Sequence, residues 1–388
     1  MIRKISVVTF LLFLLASITY GADKVSTTGS NVVSSAVPFL SIDPDSRGGA
    51  MGDAGVSISP DINSQFWNPA KYVFCESSTG IALSYTPWLY TLVKDMSLAY
   101  LCGYHQLDDK QTLSGSLRYF DLGSMDLFTS SGGSAGSSHP NEFALDFGYS
   151  RKLSDYWSGA VSLRYIRSDI YSGTGEDLYA GNSFAADVAF FYNKKFYKSR
   201  KYSTLAYGID ISNIGSKISY DKGTTKDFIP TNLRIGGSYS TEIDKYNKIG
   251  FSIDLNKLLV PSPEYDSTGA LYGLGNQDVG PIEGIFISFA DAPKGLSEEL
   301  SEITISAGAE YWYSNQFAVR AGYFNEATSK GDRKYLTFGA GLKMNVFSLD
   351  FSYIYTLRKT SPLENTLRFT LGFDLDNFNK QGKKKGRK

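Results

Sequence analysis

The side chains best suited to chemistry are few and scattered. The 388 residues hold only 2 histidines and 2 cysteines. His105 and His139 belong to no H-x-x-x-H pattern and to no Glu-rich cluster, so no metal site is expected. His139 follows Ser137 and Ser138, and a Ser–His pair is the minimum for nucleophilic hydrolysis. No G-x-S-x-G turn accompanies it, and a Gly/Ser-rich surface loop explains the stretch. Asp146, Asp210, Asp254 and Asp350 raise the question of paired acid/base work, but they fall in separate segments with no shared motif. Charges lining a lumen, or pinning something inside it, explain them better. The Gly-x-Gly pairs follow no strand–helix pattern, so phosphate binding is discounted. The expectation is a protein that is not an enzyme, with no catalytic residue, cofactor or metal.

The elements that carry these residues are strands. In 141–153, Phe143, Leu145, Phe147 and Tyr149 alternate with Ala144, Asp146, Gly148 and Ser150. The same period of two runs through 203–215, 248–257, 347–356 and 367–375. One face is apolar and aromatic; the other is small, polar or charged, with Arg164 and Arg368 beside the aspartates. The runs have the length of strands that cross a bilayer at a tilt, and soluble sandwich strands are usually shorter. Fourteen segments are expected, starting near Thr79, Lys94, Lys110, Asn141, Tyr156, Gly181, Ser203, Ile229, Tyr246, Glu302, Gln316, Arg333, Val346 and Asn365. Short connections at 154–155, 314–315 and 344–345 then alternate with long ones at 123–140, 170–180, 216–228 and 258–301. Outer-membrane barrels have short periplasmic turns and long outer loops, so the parity supports an all-β, fourteen-stranded antiparallel transmembrane barrel over 79–376. On this register Cys102 falls on the lipid side with Met96, Leu98, Tyr100 and Tyr104, opposite about Thr79 and near Cys75. A disulfide is open in an oxidising compartment, with two separate thiols the preferred reading.

Composition fits that class. Lys plus Arg is 39 and Asp plus Glu is 39, which leaves no basic footprint for nucleic acid. A hydrophobic content of 42% excludes a disordered chain, and 2 cysteines exclude a disulfide scaffold. Arg3 and Lys4, the apolar run 5–15 and Gly21 read as a signal peptide over 1–21, the run being too short to span a bilayer as a helix. The tail 377–388 is basic, is placed in the periplasm, and could touch anionic lipid head groups.

Two stretches are not barrel wall. Residues 22–78 hold a Gly-rich, charged run through Asp43, Asp45 and Arg47, then Phe66-Trp67-Asn68-Pro69-Ala70. Glycines permit close backbone approach, and Asn68-Pro69 favours a turn. A plug in the lumen suits Phe39, Phe66 and Trp67, which would be poorly placed in a loose periplasmic leader. The long loop 258–301 carries an apolar run at 282–290, and Ser297-Glu298-Glu299 is placed to open a short helix. Ile285, Phe286 and Phe289 are expected to form an exposed apolar cluster, the mark of an interaction site; folding back over the barrel mouth is the alternative.

The run from Phe39 to Gly55 with Asn68-Pro69-Ala70 closely resembles the hallmark segment of the PorV family, outer-membrane components of the type IX secretion system, among barrels similar to FadL long-chain fatty-acid transporters. The resemblance implies a Bacteroidetes-type outer membrane and a carrier rather than a catalyst. It implies binding of the C-terminal signal domains of secreted cargo, collection from the large translocon barrel, and delivery to the attachment complex that contains the PorU sortase. The outer loops 123–140 and 258–301 would then carry the contacts. A FadL-like channel for hydrophobic small molecules is the other reading, with a greasy outer pocket and a plug able to shift. An association of such proteins with lipid A deacylation finds no nucleophile and base placed together here.

Overall fold

The structure, a computed structural model, describes residues 32–90, 92–128, 132–171, 178–262, 279–292, 295–358 and 361–376. The expected signal peptide and basic tail lie outside them. Sixteen strands are β1 (Thr79–Pro87), β2 (Ser97–Asp108), β3 (Gln111–Asp121), β4 (Met125–Phe128), β5 (Ser134–Ser138), β6 (Asn141–Lys152), β7 (Trp157–Asp169), β8 (Gly181–Lys198), β9 (Lys201–Gly215), β10 (Asn232–Glu242), β11 (Asn247–Leu258), β12 (Thr304–Tyr313), β13 (Phe317–Asn325), β14 (Lys334–Lys343), β15 (Phe347–Thr356) and β16 (Leu367–Asp374). Among the described residues four short helices are α1 (Ser46–Ala50), α2 (Ser64–Trp67), α3 (Pro281–Ile287) and α4 (Leu296–Ser301), with 3-10 turns at Pro38–Ser41, Pro69–Phe74 and Thr328–Lys330.

All strands except β4 and β5 join into one closed antiparallel barrel, in which β1 pairs with both β2 and β16. Closure leaves no open edge along the wall, the condition for spanning hydrocarbon with strands. Alternation decides the two faces. In β6, Phe147 is 71% exposed while its neighbour Asp146 is 2% exposed. Every barrel strand starts within three residues of its expected position. The loop parity holds as well: β4 and β5 form a hairpin in the loop after β3, and α3 and α4 lie in the loop after β11.

Two expectations are corrected and one choice between alternatives is narrowed. Cys102 does not face lipid: it is 2% exposed, on the inner face of β2 with Leu98, Tyr100 and Tyr104. It pairs across the ladder with Ala82, while Thr79 pairs with His105. The reason is that β2 packs inward on apolar Ile62, Phe66 and Trp67, so its apolar face is the inner one. Cys75 and Cys102 are both free thiols. Second, of lining an open lumen or pinning something inside it, burial favours pinning for the wall charges; Asp146, Arg164, Asp210, Asp254, Asp350 and Arg368 are all under a tenth exposed. Third, Ile285, Phe286 and Phe289 do not stand out together: Phe286 is 71% exposed, whereas Ile285 and Phe289 are half-buried. They sit on or just past α3, whose Gly284 packs against the Phe228 ring, so that one side of the helix lies on the protein and only the other is open.

Candidate functional site

The inner face of the barrel and residues 36–74 are built for each other. This segment contacts inward-facing side chains of strands on every side of the closed ring, so it lies within the bore. It begins at the long-loop end. Val37, Phe39 and Leu40 are buried there against Leu98, Phe120, Ile166, Ile218 and Ile229, with Phe39 stacked on Phe120 at 6.3 Å. Burying Phe39 and Leu40 contributes about 3–6 kcal/mol. Arg118 of β3 donates to the Leu40 carbonyl at 2.7 Å. The segment ends at the short-turn end, where Ser150 Oγ donates to the Pro69 carbonyl (2.7 Å) and Ser158 Oγ to that of Ala70 (2.5 Å).

Between these ends each polar residue singled out from sequence has a structural partner. Asp45 caps α1 by accepting from the N–H of Arg47 (2.9 Å) and Gly48 (3.0 Å), and it accepts from Trp67 Nε1 at 2.5 Å. Arg47 grips Glu310 of β12 with two bonds, Nε to Oε2 at 3.0 Å and Nη2 to Oε1 at 2.9 Å, and Asp61 Oδ2 at 2.8 Å. Glu310 also accepts from Arg320, whose other arm reaches Asp350, so one chain of charge runs from α1 across β12, β13 and β15. Asn68 Nδ2 donates to the carbonyls of Val56 (3.2 Å) and Phe190 (3.0 Å), while its Oδ1 accepts from Ala70 N–H. Asp43 is buried near Asp53, Arg368 and Arg234. Asp53 accepts from the Tyr335 hydroxyl.

The aspartates of the wall serve the same end. Asp254 Oδ2 accepts from the N–H groups of Gly55 (2.6 Å) and Val56 (2.9 Å). Asp146 and Asp187 both pair with Arg164, and Asp210 with Arg234. The Phe66 ring lies between the guanidiniums of Arg118 (4.7 Å) and Arg234 (4.6 Å). Glycine is required where backbones meet. Gly52 has φ +74° and comes so close to β13 that a Cβ would lie 2.5 Å from the Tyr323 nitrogen. A Cβ on Gly48 or Gly55 would collide with the Trp67 ring.

The histidines do no shared chemistry. His105 Nδ1 meets Thr79 Oγ1 at 2.8 Å on the exposed face, and His139 Nδ1 lies 3.4 Å from the Ser124 hydroxyl. Among the described residues no three His, Cys, Asp or Glu side chains are grouped to hold a metal.

At the long-loop mouth, α4 is fastened by its acids. Lys257 binds Glu299 (3.0 Å) and Glu302; Lys330 binds Glu298 (2.8 Å) and Glu302 (3.0 Å). Asp291 accepts from Ser262 N–H at 2.6 Å; burial pushes its carboxyl up to about 6, with that N–H pulling it back partway. The apolar side chains left outside are Ile282 and Phe286 on α3 and Leu296 and Leu300 on α4, each more than half exposed. Sequence reasoning named Phe286 and included Ile282 in its apolar run but missed Leu296 and Leu300, whose signal was their i, i+4 spacing.

Comparison with known proteins agrees with the motif. No curated protein matches the chain. Solved structures of similar shape include the P. putida toluene transporter TodX, at 10% identity over 85% of this chain and 97% of that one, with a TM-score of 0.48. A Pseudomonas aeruginosa FadL homologue gives 13% identity over 85% and 98%, with a TM-score of 0.43. The family model described as "Type IX secretion system protein PorV" matches residues 25–265, more than half of the chain. With the closed fourteen-stranded barrel and its apolar outer face, the chain belongs to the PorV family of type IX secretion system proteins in the outer membrane.

Proposed function

We propose that the protein is a carrier that binds the C-terminal signal domains of secreted cargo at its outer loops, taking them from the translocon barrel to the PorU sortase attachment complex. On this reading residues 1–21 are a removed leader, 22–78 a plug, and 377–388 a periplasmic tail. One observation carries the proposal. Residues 36–74 occupy the bore, with Phe39 and Leu40 packed on the wall at its outer end, while Ile282, Phe286, Leu296 and Leu300 stand out on the same side. The exposed apolar side chains at the rim are therefore where a partner would bind.

Extraction of the tagged protein from native outer membranes in mild detergent tests this. The expected result is recovery of secreted proteins that still carry their C-terminal domains, or of the sortase complex, and loss of that recovery in Phe286→Asp. Recovery of the barrel alone, or with a fatty-acid-like lipid and no cargo while secretion is active, would refute the carrier and favour a FadL-like channel.

A further inference from the structure

The longest strands of the barrel are β8, with 18 residues, and β9, with 15. Their excess lies at the short-turn end, the periplasmic side of an outer-membrane barrel. Pairing of β8 with β7 stops at Tyr192, and the last bond on that side is from Asn193 N–H to the Tyr156 carbonyl at 2.8 Å. Pairing of β8 with β9 continues to Lys198 and Lys201. Five residues, 194–198, thus project as a ribbon with one partner, about 16 Å at roughly 3.3 Å per residue.

The two edges of this ribbon differ. On the β9 side, pairing with β10 runs to Ser203, and Tyr202 N–H donates to Glu242 at 3.1 Å, so that edge is closed almost to its tip. On the β8 side, the N–H and C=O of Lys195 and Tyr197 share the direction of Asn193 and face away from β9, with no ladder partner.

The charge of the ribbon is of one sign. Residues 193–204 hold Lys194, Lys195, Lys198, Arg200 and Lys201, five cations, and no acid. Two of these cations lie over aromatic rings and not against carboxylates: Lys194 over Tyr156 at 5.5 Å and Lys195 over Tyr202 at 4.8 Å. Tyr197 and Tyr202 stack at 4.8 Å and remain 62% and 48% exposed.

We infer that the free edge of β8 at residues 194–198 is a docking strand for an acidic, extended polypeptide segment in the periplasm. Backbone groups of Lys195 and Tyr197 supply the ladder, and the lysines and arginine set its charge. Repulsion between like charges keeps a second copy of the chain off this edge. Anionic lipid head groups would account for Lys194, next to the aromatic girdle. They do not account for Lys195 on the lumen-side face, nor for the cations at the tip about 16 Å further out.

The test uses the full-length barrel in nanodiscs of zwitterionic lipid and a fluorescent, capped ten-residue peptide alternating Glu and Val. Anisotropy should report binding that weakens at least about tenfold between 50 and 200 mM salt, as for any interface built on several ion pairs. The double variant Lys195→Glu, Lys198→Glu should lose it. Tyr197→Pro should lose it too, because proline removes the edge N–H without touching a bond to β9. Retention of the heat-modifiable band on gels shows that each variant is a folded barrel. Failure of the peptide to bind at low salt overturns the inference. So does equal binding by the Tyr197→Pro variant, which would mean charge attraction without strand addition. Binding seen only when the nanodiscs contain anionic lipid also overturns it.

Discussion

Arg47→Ala removes the centre of the contact between α1 and the wall. The Arg47 side chain is buried and makes five hydrogen bonds, to Glu310 twice, to Asp61, and to the hydroxyl and carbonyl of Ser59. Breaking a buried ion pair by removing one partner costs about 3–5 kcal/mol. Glu310 keeps Arg320 at 2.6 Å, so the loss belongs at the low end, about 3 kcal/mol. The barrel ladder does not involve Arg47, so the cost falls on seating residues 43–61 and not on closing the wall. About 3 kcal/mol raises the displaced population about a hundredfold. Single-channel recording in planar bilayers reads this directly: the native protein should be silent, and Arg47→Ala should show openings. Protease cleavage within 43–61 should rise in parallel. The double variant Arg47→Met, Glu310→Gln should open less than the two single effects added, because each single variant leaves the other member of the Arg47–Glu310 pair buried without it and the double variant does not. An Arg47→Ala protein as silent and as resistant as the native one would refute the claim that this ion cluster holds the segment in place.

Two further outcomes follow from side chains elsewhere. Titration without reductant should find both thiols free on denaturation, and Cys102 should resist labelling in the folded barrel, since it is buried with its sulfur 3.4 Å from Asn63 Oδ1; a labelled Cys102 in folded protein would contradict the inward register of β2. Asp291 has its carboxyl raised from 3.8 to about 6, so the folded loop binds more protons than the unfolded loop between those values. Its contribution is complete below about 3.8 and is lost as pH rises through about 6. Hydrogen exchange around 288–292 should therefore quicken from about pH 5 to about pH 7 relative to the Asp291→Asn variant, and a parallel pair of profiles would exclude Asp291 as the cause.

The wall was legible because lipid and bore demand opposite side chains on one strand, and a period of two survives in sequence wherever that demand holds. β6 and β8 begin where expected, at Asn141 and Gly181. The period marks two faces without saying which is inner. For most strands the apolar face is outer, but in β2 Tyr100 and Cys102 pack with Phe66 and Trp67 of α2 and Leu98 with Phe39 and Leu40, so the inner contact is itself apolar and the rule inverts. The segment 39–70 was legible as glycines and charges in need of a close partner. The partners were not, because Glu310, Asp254 and Thr370 stand hundreds of residues away in sequence and only closure brings them in. The projecting part of β8 left no trace, because beyond the bilayer both faces meet water and the alternation stops.

The mouth helices carry the last argument. A helix against a barrel in water should bury its apolar stripe. Here α4 buries Glu298 and Glu299 and exposes Leu296 and Leu300, while α3 buries Gly284 and exposes Ile282 and Phe286. Fastening α4 through buried acids on Lys257 and Lys330 costs desolvation that an apolar face would avoid, so the outward apolar side must be of use. Two media can reward it, hydrocarbon or a partner protein, and they separate in one experiment. In a Cys75→Ser background, Phe286→Cys is labelled with an environment-sensitive fluorophore and the barrel is reconstituted in vesicles of brominated lipid. The carrier reading expects an emission typical of water and no quenching by bromine until cargo is added, and a blue shift then. Quenching in vesicles alone would place Phe286 in lipid and remove it from the cargo contact.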